Sequence, residues 1–243
     1  MLVVDGIDVF YGPIQALRGV SMRVEEGEMI ALCGANGAGK TTTLRTISGM
    51  LAAESGEISF NGERIDGASP WDVVEAGIAH LPEGRELFRD LSVVDNLRLG
   101  HWTRRRGRGF KARMDLVMDH FPILRERSGQ AAGTLSGGEQ QMLGVARALM
   151  SQPKLLVVDE LSLGLAPKIV AQLFEILEEV NREGTSVLLV EQFVHMALEH
   201  TNRAYVLVKG EVALEGASRE LLASPELMAA YLGESQAAGD AEG

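Results

Sequence analysis

The chain has 243 residues, enough for one large domain or a domain carrying an inserted subdomain. Hydrophobic residues make up 46% and charged residues 23%, an ordinary globular balance, and no run of about 18 uncharged apolar residues is present to span a bilayer. The net charge of −11 opposes general nucleic-acid binding, and the single cysteine, Cys33, excludes an internal disulfide and fits a reducing, cytoplasmic setting.

Residues 1–12 (MLVVDGIDVFYG) carry two Asp and no basic run, so they read as a first strand and not as a signal peptide. Strands are predicted over residues 2–4, 22–24 and 29–33, with a turn at Glu26-Gly27. From Thr41 the pattern TTTLRTISGML becomes helical and stops near Gly49. Residues 57–60 followed by Asn61-Gly62 give the strongest hairpin signal in the chain. Ser69 and Pro70 mark a helix start as cap and first helical residue, and residues 78–81 form another strand. Residues 92–131 change character. Arg-rich and helical in period, they read as an inserted helical subdomain that continues through the next helix to about residue 150. Within it, Arg104, Arg105, Arg106 and Arg108, then Lys111 and Arg113, read as a solvated loop or as a patch for lipid headgroups or an acidic partner.

Continuous apolar strands return at residues 154–159 (KLLVVD) and 186–190 (SVLLV), the pattern of central parallel strands. A helix over residues 169–183 separates them and stops at Gly184. Residues 205–208 and 211–215 make a closing hairpin around Lys209-Gly210, and residues 234–243 read as a disordered tail. Alternating strands and helices predict an α/β fold with crossovers.

Gly34, Ala35, Asn36, Gly37, Ala38, Gly39, Lys40 and Thr41 fit G-x-x-x-x-G-K-[ST], between a strand and a helix as that motif requires, with Thr42 next along the helix. Its glycines let successive backbone N–H groups wrap phosphates, and the helix N-terminus adds partial positive charge. Lys40 is expected on the β- and γ-phosphates of ATP and the Thr41 hydroxyl on Mg²⁺. Asp159 and Glu160 end a buried strand. Beside a phosphate loop such carboxylates hold Mg²⁺ (Asp159) and activate water (Glu160). Ser136, Gly137 and Gly138 open a second helix with Gln140 in its first turn, a second anion-seeking terminus.

With the LSGGEQQ run at residues 135–141, the sequence resembles the ATP-binding cassette family over almost its whole length. The resemblance implies a P-loop nucleotidase fold with a mixed central sheet, an antiparallel β subdomain and the inserted helical subdomain. Residues 1–233 would form a single domain. It implies that Ser136, Gly137, Gly138 and Gln140 of one subunit cap ATP bound by a second subunit, and that Tyr11 stacks on adenine. LPEGRELF at residues 81–88, LSLGLAP at 161–167 and LLVEQ at 188–192 resemble the F-type ATPase subunit of branched-chain amino-acid importers. The implied partners are integral membrane permease subunits, a second ATPase subunit and, indirectly, a solute-binding protein, with no nucleic acid. The implied place is the cytoplasmic face of the membrane. Urea or amide import, lipid export and a soluble non-transport switch are the alternatives.

Four positions depart from the general family pattern. Glu83 replaces a Gln that ligates Mg²⁺ and senses the permease, and Gln192 replaces a His near the γ-phosphate; both resemble the F-type branch. Leu161 replaces a Pro and Ala166 an Asp in the loop expected to cross the dimer. His195 reads as a helix-surface residue.

Overall fold

The computed structural model describes residues 1–84, 86–102 and 109–227. In chain order these form β1 (Leu2–Tyr11), β2 (Ile14–Val24), β3 (Met29–Cys33), α1 (Lys40–Ile47), β4 (Ser55–Phe60), β5 (Glu63–Arg64) and α2 (Pro70–Ala76). Then follow β6 (Ile78–Leu81), α3 (Val93–Gly100), α4 (Phe110–His120), α5 (Pro122–Glu126), α6 (Gly137–Leu149), β7 (Leu155–Asp159) and α7 (Pro167–Arg182). The order closes with β8 (Ser186–Glu191), α8 (Val194–His200), β9 (Arg203–Val208), β10 (Glu211–Ala217) and α9 (Ser218–Leu222). Two units divide the chain: Met1–Val73 with the described residues of Leu188–Gly243, and Val74–Val187.

In the first unit an antiparallel sheet runs in the order β2-β1-β4-β5. Leu2 lies opposite Val24 and Phe60, and Val4 opposite Met22 and Ile58, so one face is apolar and buried. The predicted strand at residues 2–4 continues to Tyr11. Gly6 (φ 57) carries a bulge between Val4 and Ile7, which breaks the apolar alternation that the sequence reading follows. Asn61 (φ 54) and Gly62 (φ 82) both take the left-handed conformation, which makes the β4–β5 connection a two-residue hairpin turn. Elsewhere in this unit β3 pairs in parallel with β9, and β9 pairs antiparallel with β10. α1 packs on β2 and α8 on β3.

In the second unit β6 and β7 pair in parallel, Ile78 with Leu155 through Leu81 with Val158. The stretch expected to be helical holds α3, α4, α5 and α6. Val93, Leu97, Val117, Phe121, Leu124 and Leu143 bury its centre. α7 follows with Leu173, Phe174, Leu177 and Val180 on its buried face and acidic residues opposite, a 3.6-residue period. The α/β architecture with an antiparallel β subdomain is the one predicted.

Arg104, Arg105, Arg106 and Arg108 of the basic stretch, and the tail at 234–243, lie outside the described residues. Lys111 is exposed on α4. Arg113 is not part of a free basic face. Its half-buried guanidinium donates to the Leu149 carbonyl at the C-terminus of α6, from Nε at 2.9 Å.

Candidate functional site

β3 is buried at every position, and the chain leaves it at Gly34 to form a loop that returns as α1. A Cβ on Gly34 would lie 2.6 Å from the Leu207 carbonyl oxygen, so only glycine lets the loop begin this close to β9. Gly39 takes φ 110 and caps α1 without a side-chain hydrogen bond. The first N–H groups of α1 therefore meet no side-chain cap, the arrangement that suits a bound anion. Lys40 is buried, with Nζ donating to the carbonyls of Gly34 at 2.9 Å and Ala35 at 3.1 Å. Thr41 and Thr42 are half-buried along the same first turn. Behind the loop, Gly210 N donates to Ala38 O at 2.9 Å and Arg18 N donates to Gly210 O at 2.8 Å. This brace ties the phosphate loop to the β9–β10 turn, which the sequence pattern marks only as a turn. Burial and the charge of Glu191 push the Cys33 thiol up to about 12, so it stays protonated and is no nucleophile.

Asp159, Glu160, Ser136, Gly138 and Gln140 belong to the second unit. Asp159 ends β7 and is buried, and Glu160 directly after it holds a left-handed backbone, φ 48. For a residue with a Cβ that conformation costs about 1–2 kcal/mol. Such strain is found where a side chain must be aimed rather than packed. Leu161 and Ser162 are buried beyond it, and Leu163 is 47% exposed. Ser136 caps α6 in a capping box: its Oγ accepts from Glu139 N at 3.4 Å, and Glu139 Oε2 accepts from Ser136 N at 2.8 Å. A Cβ on Gly138 would lie 2.8 Å from Cγ2 of Ile169 on α7, so glycine there admits the close approach of α7. Gln140 Nε2 donates to Leu135 O at 3.0 Å.

The sequence pattern of the family described as ABC transporter matches residues 17–162. The chain belongs to the ABC transporter family. As a member it is an ATPase built on a nucleotide-binding cassette. It is 48% identical over 233 residues to the high-affinity branched-chain amino acid transport ATP-binding protein BraG of Pseudomonas aeruginosa, covering 96% of this chain and 100% of that protein. It is 37% identical over 223 residues to the probable branched-chain amino acid transport ATP-binding protein LivF of Archaeoglobus fulgidus, covering 91% and 94%. Among solved structures, the ADP conformation of MJ1267, an ATP-binding cassette of an ABC transporter, superposes with a TM-score of 0.86 at 25% identity, over 96% of this chain and 98% of that one.

In this cassette Tyr11 stands at the end of β1, 43% exposed, opposite Ile14 and next to exposed Phe10, which gives the hairpin an apolar tip. Gln192 lies between β8 and α8 and is half-buried, and the adjoining Phe193 is 58% exposed. Glu83 lies exposed in the turn after β6. His195 is exposed on α8, as expected of a surface histidine. Tyr11, the phosphate loop and Gln192 thus fall in the first unit; Glu83, Ser136, Gly137, Gly138, Gln140, Asp159 and Glu160 fall in the second. Ala166 is the N-cap of α7 and supplies no side-chain hydrogen bond, the local consequence of lacking an Asp there. Among the described residues no helix is long and apolar enough to cross a membrane.

Proposed function

We propose that this cassette is the ATP-hydrolysing subunit of a branched-chain amino-acid importer. The observation that carries the reading is the 48% identity along the whole of BraG. Glu83 and Gln192, unusual for cassettes at large, support it because they resemble the same branch. In this reading residues 1–233 act as one ATPase domain. It closes against a second ATPase subunit around two ATP and moves a separate membrane permease from its cytoplasmic side, with a solute-binding protein delivering cargo to that permease.

Each residue then has a chemical task. Backbone N–H groups from Gly34 to Gly39 cradle the phosphates, and Lys40 exchanges its loop carbonyls for β- and γ-phosphate oxygens. Tyr11 stacks on adenine. Thr41 and Asp159 offer a hydroxyl and a carboxylate, with Glu83 in reserve; this all-oxygen donor set fits Mg²⁺, which when bound neutralises phosphate charge. Glu160 takes a proton from the attacking water, while Gln192 donates a hydrogen bond toward the γ-phosphate. Ser136, Gly137, Gly138 and Gln140 meet the nucleotide held by the other subunit.

The test is co-purification with the membrane partner and reconstitution in vesicles with the cognate binding protein. Leucine, isoleucine or valine should stimulate ATP hydrolysis and accumulate inside. Stimulation by urea, short amides or lipid, with none by these amino acids, would contradict the proposed cargo and leave the ATPase assignment intact.

A further inference from the structure

One cluster uses none of the residues given a role above. His120 is the last residue of α4, and its imidazole sits between the carboxylates of Glu179 on α7 and Glu183 at the C-cap of α7. Nδ1 lies 3.2 Å from Glu179 Oε2 and Nε2 lies 3.3 Å from Glu183 Oε2. One ligand atom from each of the three residues falls within 4.8 Å of the others. We propose that His120, Glu179 and Glu183 form a site for a divalent transition-metal ion of the zinc class, which clamps the end of α4 to the end of α7.

The support is well built for a ligand set. The His120 side chain is only 7% exposed, and buried Val117 and Phe121 on either side of it in sequence fix the end of α4. Pro122 then starts α5, so the chain direction after the histidine is set as well. Glu179 and Glu183 lie one helical turn apart, and α7 is anchored by the buried Leu177 and Val180. The imidazole is therefore the fixed ligand. The carboxylates, on side chains 52% and 46% exposed, can swing. An imidazole gives one ion a single nitrogen, so with the ion on Nδ1 beside Glu179 the exposed Glu183 carboxylate swings round from the Nε2 edge to complete bonds of about 2.1 Å.

The chemistry selects the ion. A nitrogen ligand with two carboxylates suits zinc and its neighbours, whereas Mg²⁺ and Ca²⁺ favour oxygen alone. Like charges four residues apart on a helix repel, and a dication between Glu179 and Glu183 reverses that. The Arg113 guanidinium feels the Glu183 charge, but it is committed to the Leu149 carbonyl. Three protein ligands leave coordination positions for water.

Titrate the metal-free full-length protein with Zn²⁺ by calorimetry and follow its thermal midpoint. Wild type should take up one ion with micromolar affinity at this site and melt at a higher temperature with zinc. The double variant Glu179→Gln/Glu183→Gln, isosteric and on exposed side chains, should bind at least about tenfold more weakly and lose the thermal shift. His120→Ala should do the same, while His195→Ala, outside the cluster, should behave as wild type. Zinc affinity and thermal shift unchanged in the double variant, or no saturable zinc uptake by wild type, would overturn the proposal and leave the three residues as an ionic brace alone.

Discussion

The starts of α1 and α6 are both glycine-bearing helix N-termini, yet they are finished differently. α1 begins after Gly39, whose left-handed backbone supplies no side-chain cap, and the loop before it is closed by Lys40 donating to its carbonyls. α6 begins after Ser136, which with Glu139 satisfies two of its own orphan groups in a capping box. The first terminus is shaped to receive phosphate by itself. The second is already self-sufficient, so any anion it meets must come to the exposed amides of a finished helix. That contrast fits a loop that holds its own nucleotide and an α6 start that meets one held elsewhere.

The largest expected effect leaves both termini intact. Glu160→Gln should keep ATP binding and lower turnover by about 10²–10⁴-fold, measured as steady-state hydrolysis beside equilibrium ATP binding. Turnover near wild type would remove Glu160 as the base. Next is the built shape of the first terminus. Gly34→Ala places a Cβ against the Leu207 carbonyl, and denaturant unfolding should show a loss of about 1–3 kcal/mol, with ATP binding weakened as well. A smaller change is expected at the second terminus. Ser136→Ala removes one cap and should cost about 1 kcal/mol, with nucleotide binding by the isolated subunit unaffected.

The smallest effect concerns pH. Asp8 in β1 accepts from Ser55 Oγ, Gly19 N and Gln15 Nε2, and these bonds hold its carboxyl below the usual value of 3.8. A depressed pKa gives stability that is present above the unfolded value and lost as pH falls through the folded one. Wild type should therefore exceed Asp8→Asn in urea midpoint near neutral pH, and the gap should shrink as pH falls below about 4. A gap that is constant with pH would assign the effect to packing.

Much of this was legible because the decisive patterns are local. Met29–Cys33 and Ile78–Leu81 are the strands predicted: the first is an uninterrupted apolar run that stops at Gly34, and the second is a mainly apolar run between Gly77 and Pro82. Asn61-Gly62 declared its turn by chemistry alone, whereas Ser136 read only as part of an anion-seeking helix start and its capping box with Glu139 came from the structure. What escaped depends on distant partners. Gly6 hides the second half of β1 behind a bulge, and α8 and α9 are too short to show a period. Arg113 read as part of a basic face because nothing local shows that the Leu149 carbonyl awaits it. The brace from Gly210 to Ala38 joins residues far apart in sequence, so the phosphate loop was visible and its support was not.

The contrast between the two helix starts is tested most directly by mixing two inactive variants. Lys40→Ala spoils the loop that holds a nucleotide, and Ser136→Arg spoils the terminus that meets one. Neither variant alone should trap nucleotide in a closed dimer. If the start of α6 serves the other subunit's loop, every mixed dimer has one site that combines both defects and one site assembled from an intact Lys40 and an intact Ser136. Trapping should therefore reappear on mixing, with nucleotide bound to the Ser136→Arg subunit. Mixtures that trap no more than either variant alone would contradict the account.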